Sequence, residues 1–350
     1  MDLVVIFTLF LFLLCRFTVP YNFIKVFVLL FFLFVATLIV GVRPLDAGFD
    51  THHYVYGFNL VKDTGTFFNV STIIKEQVGI GSEYFFWLVG FFVSFFGGDA
   101  NSFLWFSAFF SLCILYCGLR KIFPETALLY LFAFVVCGTF YNTFGNAMRQ
   151  AYVLSLLPFL IYYRFLVPNF FFSIFTIFVM FFFHKGGGVI CLAFYIVSFI
   201  GYRNLLILYI LSFPLSVFVE KVVSMFISHD IYIKSSAVYF HPAFLLLNLS
   251  FWGVVSLRRF GFSRFSTLKG QSILKTYLIF LSFSIIFSFN VFAFNRVANF
   301  AYLMQAIILC YAVLGIREFR NIIAFFFALL CLLWGCVVLS SDSVGTILYG

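Results

Sequence analysis

Apolar stretches, each read as long enough to cross a membrane, recur along this chain from end to end. Thirteen stand out, at roughly 3–19, 23–42, 82–97, 101–118, 126–144, 149–166, 169–183, 186–201, 204–220, 241–257, 272–294, 297–315 and 321–339. About 20 residues of helix cross the ~30 Å of bilayer hydrocarbon. A single aqueous core cannot absorb so many such runs: 64% of the chain is hydrophobic and 9% charged, against about 45–50% and ~25% in ordinary soluble domains. In lipid each backbone N–H and C=O must be satisfied within its own segment, so the stretches are expected to be helices. Their continuous apolar character excludes barrel strands, which alternate. The expected fold is all-α, a polytopic transmembrane helical bundle. Residues 1–350 read as one integral membrane domain, with no linker or soluble module.

Lysine and arginine in short connections set the sidedness of such a chain. Arg258, Arg259, Arg264, Lys269 and Lys275 mark one connection, Arg317 and Arg320 another, Arg120 and Lys121 a third. Arg164, Arg203 and the pair Arg16/Lys25 add weaker signals. If all thirteen stretches span, Arg16/Lys25 and Arg120/Lys121 fall on opposite sides. If 82–97 does not cross, every basic cluster faces the cytoplasm. That segment is short, carries Glu83 at its start and ends in Gly97-Gly98-Asp99. The expectation is therefore twelve crossings plus a re-entrant or interfacial segment near 82–97, with both termini outside. Residues 43–81 become the first large extracytoplasmic loop and 221–240 the second. Met1-Asp2 lacks a basic leader, so 3–19 reads as a first span rather than a cleaved signal.

The formal charge of +9 is then cytoplasmic anchoring, and no nucleic-acid partner is expected. All eight cysteines fall in apolar stretches, without the spacing of a disulfide framework or a zinc site. Cys113 and Cys117 share a helix face, but as packing residues. The 60 Phe and 19 Tyr stand where Leu or Ala would serve in most bundles. Coding bias accounts for most of them, and an aromatic-lined sugar path would need only a few.

The same sidedness gathers the unusual polar groups on the outer face. They are Arg43, Asp46, Asp50, His52 and His53 in the first loop, then Glu83, then Asn146, Arg149 and Gln150, then His184-Lys185 ahead of three glycines, then Asn295-Arg296. Ionisable residues at membrane depth are costly and by default mark function. Asn146, Arg149 and Gln150 stand at i, i+3 and i+4, so one helical face would present all three. They open a helix, and free N–H groups beside an arginine suit a phosphate. A boundary arginine snorkelling to the interface is the competing reading, for Arg149 and for Arg296 alike. Gly186–Gly188 either admit a ligand to the backbone or permit a tight helical hairpin. Asp50 is a candidate general base on a sugar hydroxyl. His52 and His53 are adjacent and on a helix would diverge, so no metal site is expected. The sequon Asn69-Val70-Ser71 is incidental.

Taken in order, these motifs resemble the EpsG family of bacterial polysaccharide polymerases, which overlaps in function with Wzy-type O-antigen polymerases. The resemblance rests on Arg43-Pro44 with Gly48, Asp50, Thr51 and Tyr54, on Glu83-Tyr84, on Asn146-x-x-Arg149-Gln150, on Phe183-His184, and on Arg296 before Tyr302. It covers roughly residues 1–310. The family tends to follow the histidine with small residues including serine, where this chain has Lys185 and three glycines.

The resemblance implies a membrane glycosyltransferase of lipopolysaccharide biosynthesis in the bacterial inner membrane, with its active site facing the periplasm. A growing glycan on undecaprenyl pyrophosphate would pass to the non-reducing end of a new lipid-linked repeat. Donor and acceptor are then both undecaprenyl-pyrophosphate-linked oligosaccharides, and membrane lipid and a chain-length regulator are the further partners. Asp50 is the first candidate for the base, with Glu83 or His184 second. Arg149 and Arg296 would bind the leaving pyrophosphate, supported by Arg43, Lys185, Asn146 and Gln150. A basic clamp of this kind replaces a divalent metal, so neither metal nor cofactor is expected. Competing readings are a lipid-linked oligosaccharide flippase, an O-antigen ligase and a membrane acyltransferase. A flippase should show internal repeats and a charged central path, and the chain has no convincing repeat.

Overall fold

The computed structural model describes residues 8, 10–11, 22–41, 43–45, 50–65, 83–226, 242–259 and 263–314. Every regular element among them is helical. The chain divides into two compact units: Met1–Tyr162 with Asn169–Val189 and Ala324–Gly350, and Tyr163–Pro168 with Ile190–Ile323.

The first unit is organised around Ala100–Ile122, a 23-residue helix. Asp99 caps it, accepting from the Ser102 N–H at 2.8 Å and the Ser102 hydroxyl at 2.7 Å. These bonds favour the ionised form and hold the Asp99 carboxyl below the usual carboxylate range. The helix packs most extensively on Met148–Ile161 and on Asn22–Gly41. Gly41 makes the second contact possible, because a Cβ there would lie 2.6 Å from the Trp105 Cα. The Asn22 helix ends at Gly41, two residues before Arg43. Thr51–Thr64 packs on Tyr84–Phe95, and Phe170–Phe183 packs on Met148–Ile161. Ala127–Val135 is apolar on every side and all nine of its residues are buried.

In the second unit Leu268–Ile286 packs on both Val291–Val313 and Tyr202–Phe226, and Pro242–Arg259 packs on Val291–Val313. The Thr267 hydroxyl caps Leu268–Ile286 by accepting from the Gly270 N–H at 3.1 Å.

Three described helices are long and apolar enough to cross a membrane: Ala100–Ile122, Tyr202–Lys221 and Ala293–Val313. Tyr84–Phe95 has 12 residues, a rise of ~18 Å, short of the hydrocarbon thickness. The 14-residue helices Met148–Ile161 and Phe170–Phe183 are also short, at about 21 Å each. Length alone therefore does not set 82–97 apart from its neighbours. The stretch 126–144 is not one helix either. Its α-helix ends at Val135, the chain turns at Val136-Cys137, and a short α-helical segment, Gly138–Phe140, leads into a π-helical one, Tyr141–Asn146.

Inside the expected 43–81 loop the chain forms the helix Thr51–Thr64. Asp46, Gly48, the sequon, most of 3–19 and 227–241, the Arg317/Arg320 connection and all of 321–339 lie outside the described residues.

Candidate functional site

Four segments of the first unit each bring a polar residue to an element boundary. Asp50 sits at the N-terminus of Thr51–Thr64, and Glu83 at that of Tyr84–Phe95. Neither carboxylate caps its own helix, so both are available elsewhere. Arg149 is the second residue of Met148–Ile161. His184 is the extended residue between Phe170–Phe183 and the helix Lys185–Val197.

These groups meet. Arg149 Nη1 lies 2.7 Å from Glu83 Oε2, and His184 Nδ1 lies 3.1 Å from Glu83 Oε1. The Glu83 carboxylate thus takes a guanidinium on one oxygen and an imidazole on the other. Arg149 Nε also reaches the Tyr54 hydroxyl at 3.5 Å, and that hydroxyl faces Asp50 Oδ2 at 3.4 Å. The result is one chain of contacts, Asp50–Tyr54–Arg149–Glu83–His184. Asn146 locks its first member by accepting from the Asp50 backbone N–H at 2.9 Å. The Glu83–Arg149 and Glu83–His184 pairs bridge 66 and 101 residues of sequence.

The site is sheltered. Side-chain exposure is 4% for Glu83, 12% for Arg149 and 19% for His184. Tyr54 is fully buried, and burial pushes its phenol up to about 12, so it serves as a neutral hydroxyl between Arg149 and Asp50. The floor is aromatic: Tyr54 packs on Phe86 at 5.1 Å, and Tyr152 stacks on Phe183 at 4.3 Å. These aromatic residues pack the core beneath the charges.

Arg43 has a different place from the one its charge suggests. Its Nε and Nη2 donate to Thr51 Oγ1 at 3.3 and 3.1 Å, and its Nη1 donates to the Val40 carbonyl. Burial lowers its pKa to about 10, which still leaves it cationic at neutral pH. At 3% exposure, Arg43 braces the start of the Thr51 helix. Asn146 also departs from expectation. It ends the π-helical segment, and Ala147, with φ −95° and ψ 54°, separates it from the helix that holds Arg149 and Gln150. The three residues therefore do not share one α-helical face. That offset lets Asn146 reach Asp50 while Arg149 reaches Glu83. Gln150 is buried, and Lys185 is exposed at the start of its helix. Arg296 is exposed on Val291–Val313 in the second unit. His52 and His53 do not diverge, since their ring centroids lie 3.7 Å apart.

The glycines after His184 serve packing. A Cβ on Gly187 would lie 3.0 Å from both Val153 methyls, and one on Gly188 would lie 2.6 Å from Phe181 Cδ2. The close contact at Gly187 seats His184 beside the Arg149 helix. Gly187→Val should therefore cost about 1–3 kcal/mol by overpacking and lower the thermal midpoint in detergent. Gly201→Ala, where nothing lies within 4 Å of the added carbon, should leave the midpoint unchanged.

Beside the polar chain lies an apolar cavity of about 660 Å³. Phe85, Val89, Phe92, Trp105, Phe106 and Phe183 are among its lining residues. Phe85 is two positions from Glu83, and Phe183 directly precedes His184, so cavity and ionic network share a border.

Tyr54 and Thr51 were visible in the sequence motif but carried no assigned role there. The signal that could have found them was spacing. Thr51 and Tyr54 lie one and four residues after Asp50, on the turn that a helix starting at Asp50 would form. No curated protein and no solved structure matches the chain. The model of the EpsG family matches residues 25–349, across all four segments that build the site. The chain therefore belongs to the EpsG family, a polysaccharide polymerase-like family.

Proposed function

We propose that this protein joins undecaprenyl-pyrophosphate-linked glycan repeat units on the periplasmic face of a bacterial inner membrane. The observation that carries the reading is the convergence of Asp50, Tyr54, Arg149, Glu83 and His184 in one sheltered network. A hydroxyl of the acceptor repeat attacks the anomeric carbon of the donor glycan. The new C–O bond forms as the bond to pyrophosphate breaks, undecaprenyl pyrophosphate leaves, and the hydroxyl proton passes to a base. Such a site needs a cation for the leaving group and a base for the proton. Arg149 is the cation, and its planar fork matches phosphate oxygens.

For the base, the geometry favours His184 over Asp50. Glu83 accepts from Nδ1, which leaves the Nε2 lone pair for a substrate proton. Glu83 is then a positioning residue. Asp50 instead holds Tyr54 against Arg149. The apolar cavity beside the network suits the polyprenyl chain of the donor, with its pyrophosphate toward Arg149. Twelve crossings with a re-entrant 82–97 are the topology proposed with this reading. Reporter fusions at Asp99 and Lys121 test it, and a cytoplasmic signal at Asp99 would count against it.

Gene deletion followed by a gel of surface glycan tests the function. One capped repeat per lipid core is the expected result. Complete loss of surface glycan would instead mean a flippase or ligase, and unaltered length with lost acetyl groups an acyltransferase. Asp50→Asn should shorten the chains while leaving the amount of inserted protein unchanged, and a wild-type ladder would remove Asp50 from the site.

A further inference from the structure

A second polar cluster lies in the unit formed by Tyr163–Pro168 and Ile190–Ile323. Arg164 Nε donates to the Ser198 hydroxyl at 2.5 Å, and its Nη2 donates to the Ser198 carbonyl at 3.2 Å. Lys275 Nζ donates to that same carbonyl at 2.5 Å. A guanidinium and an ammonium therefore share one backbone oxygen, and no carboxylate among the described residues forms an ion pair with either. The Ser198 hydroxyl is itself fixed, since it donates to the Tyr195 carbonyl at 2.6 Å.

Helix capping explains part of this arrangement. Ser198 follows the C-terminus of Lys185–Val197, where the aligned peptide dipoles sum to about −0.5 charge. One cation already exceeds that. Two leave a net positive site in which like charges are held close by a shared acceptor. Such a pair calls for an anion.

The surroundings indicate its kind. Arg164 lies 3.8 Å from the centre of the Phe199 ring, which is 64% exposed. Tyr195 and Phe165 also flank the guanidinium. The cluster joins the ends of two apolar stretches, 149–166 and 186–201, to the start of a third, 272–294. In the twelve-crossing topology proposed above, the ends of these stretches lie at the cytoplasmic interface of the bilayer. Basic pockets between membrane helices on that side receive anionic headgroups. Arginine supplies a fork for two phosphate oxygens and lysine a point charge. We propose that Arg164 and Lys275, braced on Ser198, bind the phosphate of an anionic phospholipid, with Phe199 against its glycerol and acyl region. The site rests on the proposed topology for its side of the membrane and does not depend on the polymerase chemistry.

The full chain in detergent tests it, by thermal unfolding with added dioleoyl phosphatidylglycerol, dioleoyl phosphatidylcholine or inorganic phosphate. Phosphatidylglycerol should raise the midpoint by several degrees and phosphatidylcholine should not. Lys275→Gln should remove most of that rise, Lys275→Arg should keep it, and Arg164→Gln with Lys275→Gln should abolish it. A full rise with inorganic phosphate alone would support the site and assign it to free phosphate. An equal rise with phosphatidylcholine, or an undiminished rise in Lys275→Gln, would overturn the proposal. If the double variant does not fold, counting phosphatidylglycerol molecules retained by wild type and by Lys275→Gln in native mass spectrometry decides the matter. Equal counts would overturn it.

Discussion

Arg149→Ala should destabilise the folded protein by about 3–5 kcal/mol, the range for removing one partner of a buried ion pair, and should end chain elongation. Both effects have one origin. Glu83 is 4% exposed and lies 2.7 Å from Arg149 Nη1. Without the guanidinium its largely buried carboxylate keeps, among the described residues, His184 as its side-chain partner. A second substitution separates stability from chemistry. Glu83→Gln in the Arg149→Ala background removes the stranded charge and should recover much of the lost stability. It should recover no activity, because the cation for the leaving pyrophosphate is still missing. A coupling of about 1–3 kcal/mol between the two positions is the size expected for residues in direct contact. Thermal unfolding in detergent reads the stability, and a glycan ladder from complemented deletion cells reads the activity. If the double variant is no more stable than Arg149→Ala, the ion pair does not hold the site together. If it makes long chains, Arg149 is not the cation that the reaction needs.

The ingredients of this site were legible in the sequence, but their arrangement was not. Glu83, Arg149 and His184 each stood out because an ionisable group beside an apolar run is costly. Nothing in the one-dimensional pattern says that one carboxylate takes both partners across 66 and 101 residues. Only packing fixes that, through contacts such as Gly187 against Val153 and Gly41 against Trp105. Arg43 shows the limit from the other side. Its charge and position resembled a ligand contact, whereas its donors go to Thr51 and Val40. Charge is readable from a residue type, but the partner that consumes it is not.

The helical class followed from hydropathy, and the described residues agree with it. Helix boundaries were less accessible. The run 126–144 is apolar on average, and Gly138, Thr139, Asn142 and Thr143 in its second half are the only residues that mark the change from Ala127–Val135 to the π-helical Tyr141–Asn146. That change matters for the site. A regular α-helix through Asn146 would have put it on the Arg149 face, one turn away. The π-helical segment and Ala147 turn it instead toward the Asp50 N–H. Single π-type turns inside helical stretches recur at functional sites, and here the irregular segment delivers a side chain.

His184→Asn should lower the elongation rate by about 10²–10⁴-fold, the usual contribution of a positioned acid–base group, while leaving the fold intact. The asparagine amide can stand where Nδ1 stands and still donate to Glu83 Oε1, so the carboxylate keeps its partner. It has nothing to replace Nε2, the nitrogen left facing away from Glu83. The loss should therefore fall on kcat, with KM for the lipid-linked donor little changed, because donor binding rests on Arg149 and the apolar cavity. Glu83→Gln should act in the same direction through a different cause. The neutral amide can turn its N–H toward His184 and favour the tautomer that protonates Nε2, which removes the lone pair without removing the ring. Asp50→Asn provides the comparison. If Asp50 were the base, its loss would match or exceed that of His184→Asn, and the two would not add. A purified protein with a defined lipid-linked repeat would measure all three. A wild-type kcat in His184→Asn would return the base assignment to Asp50.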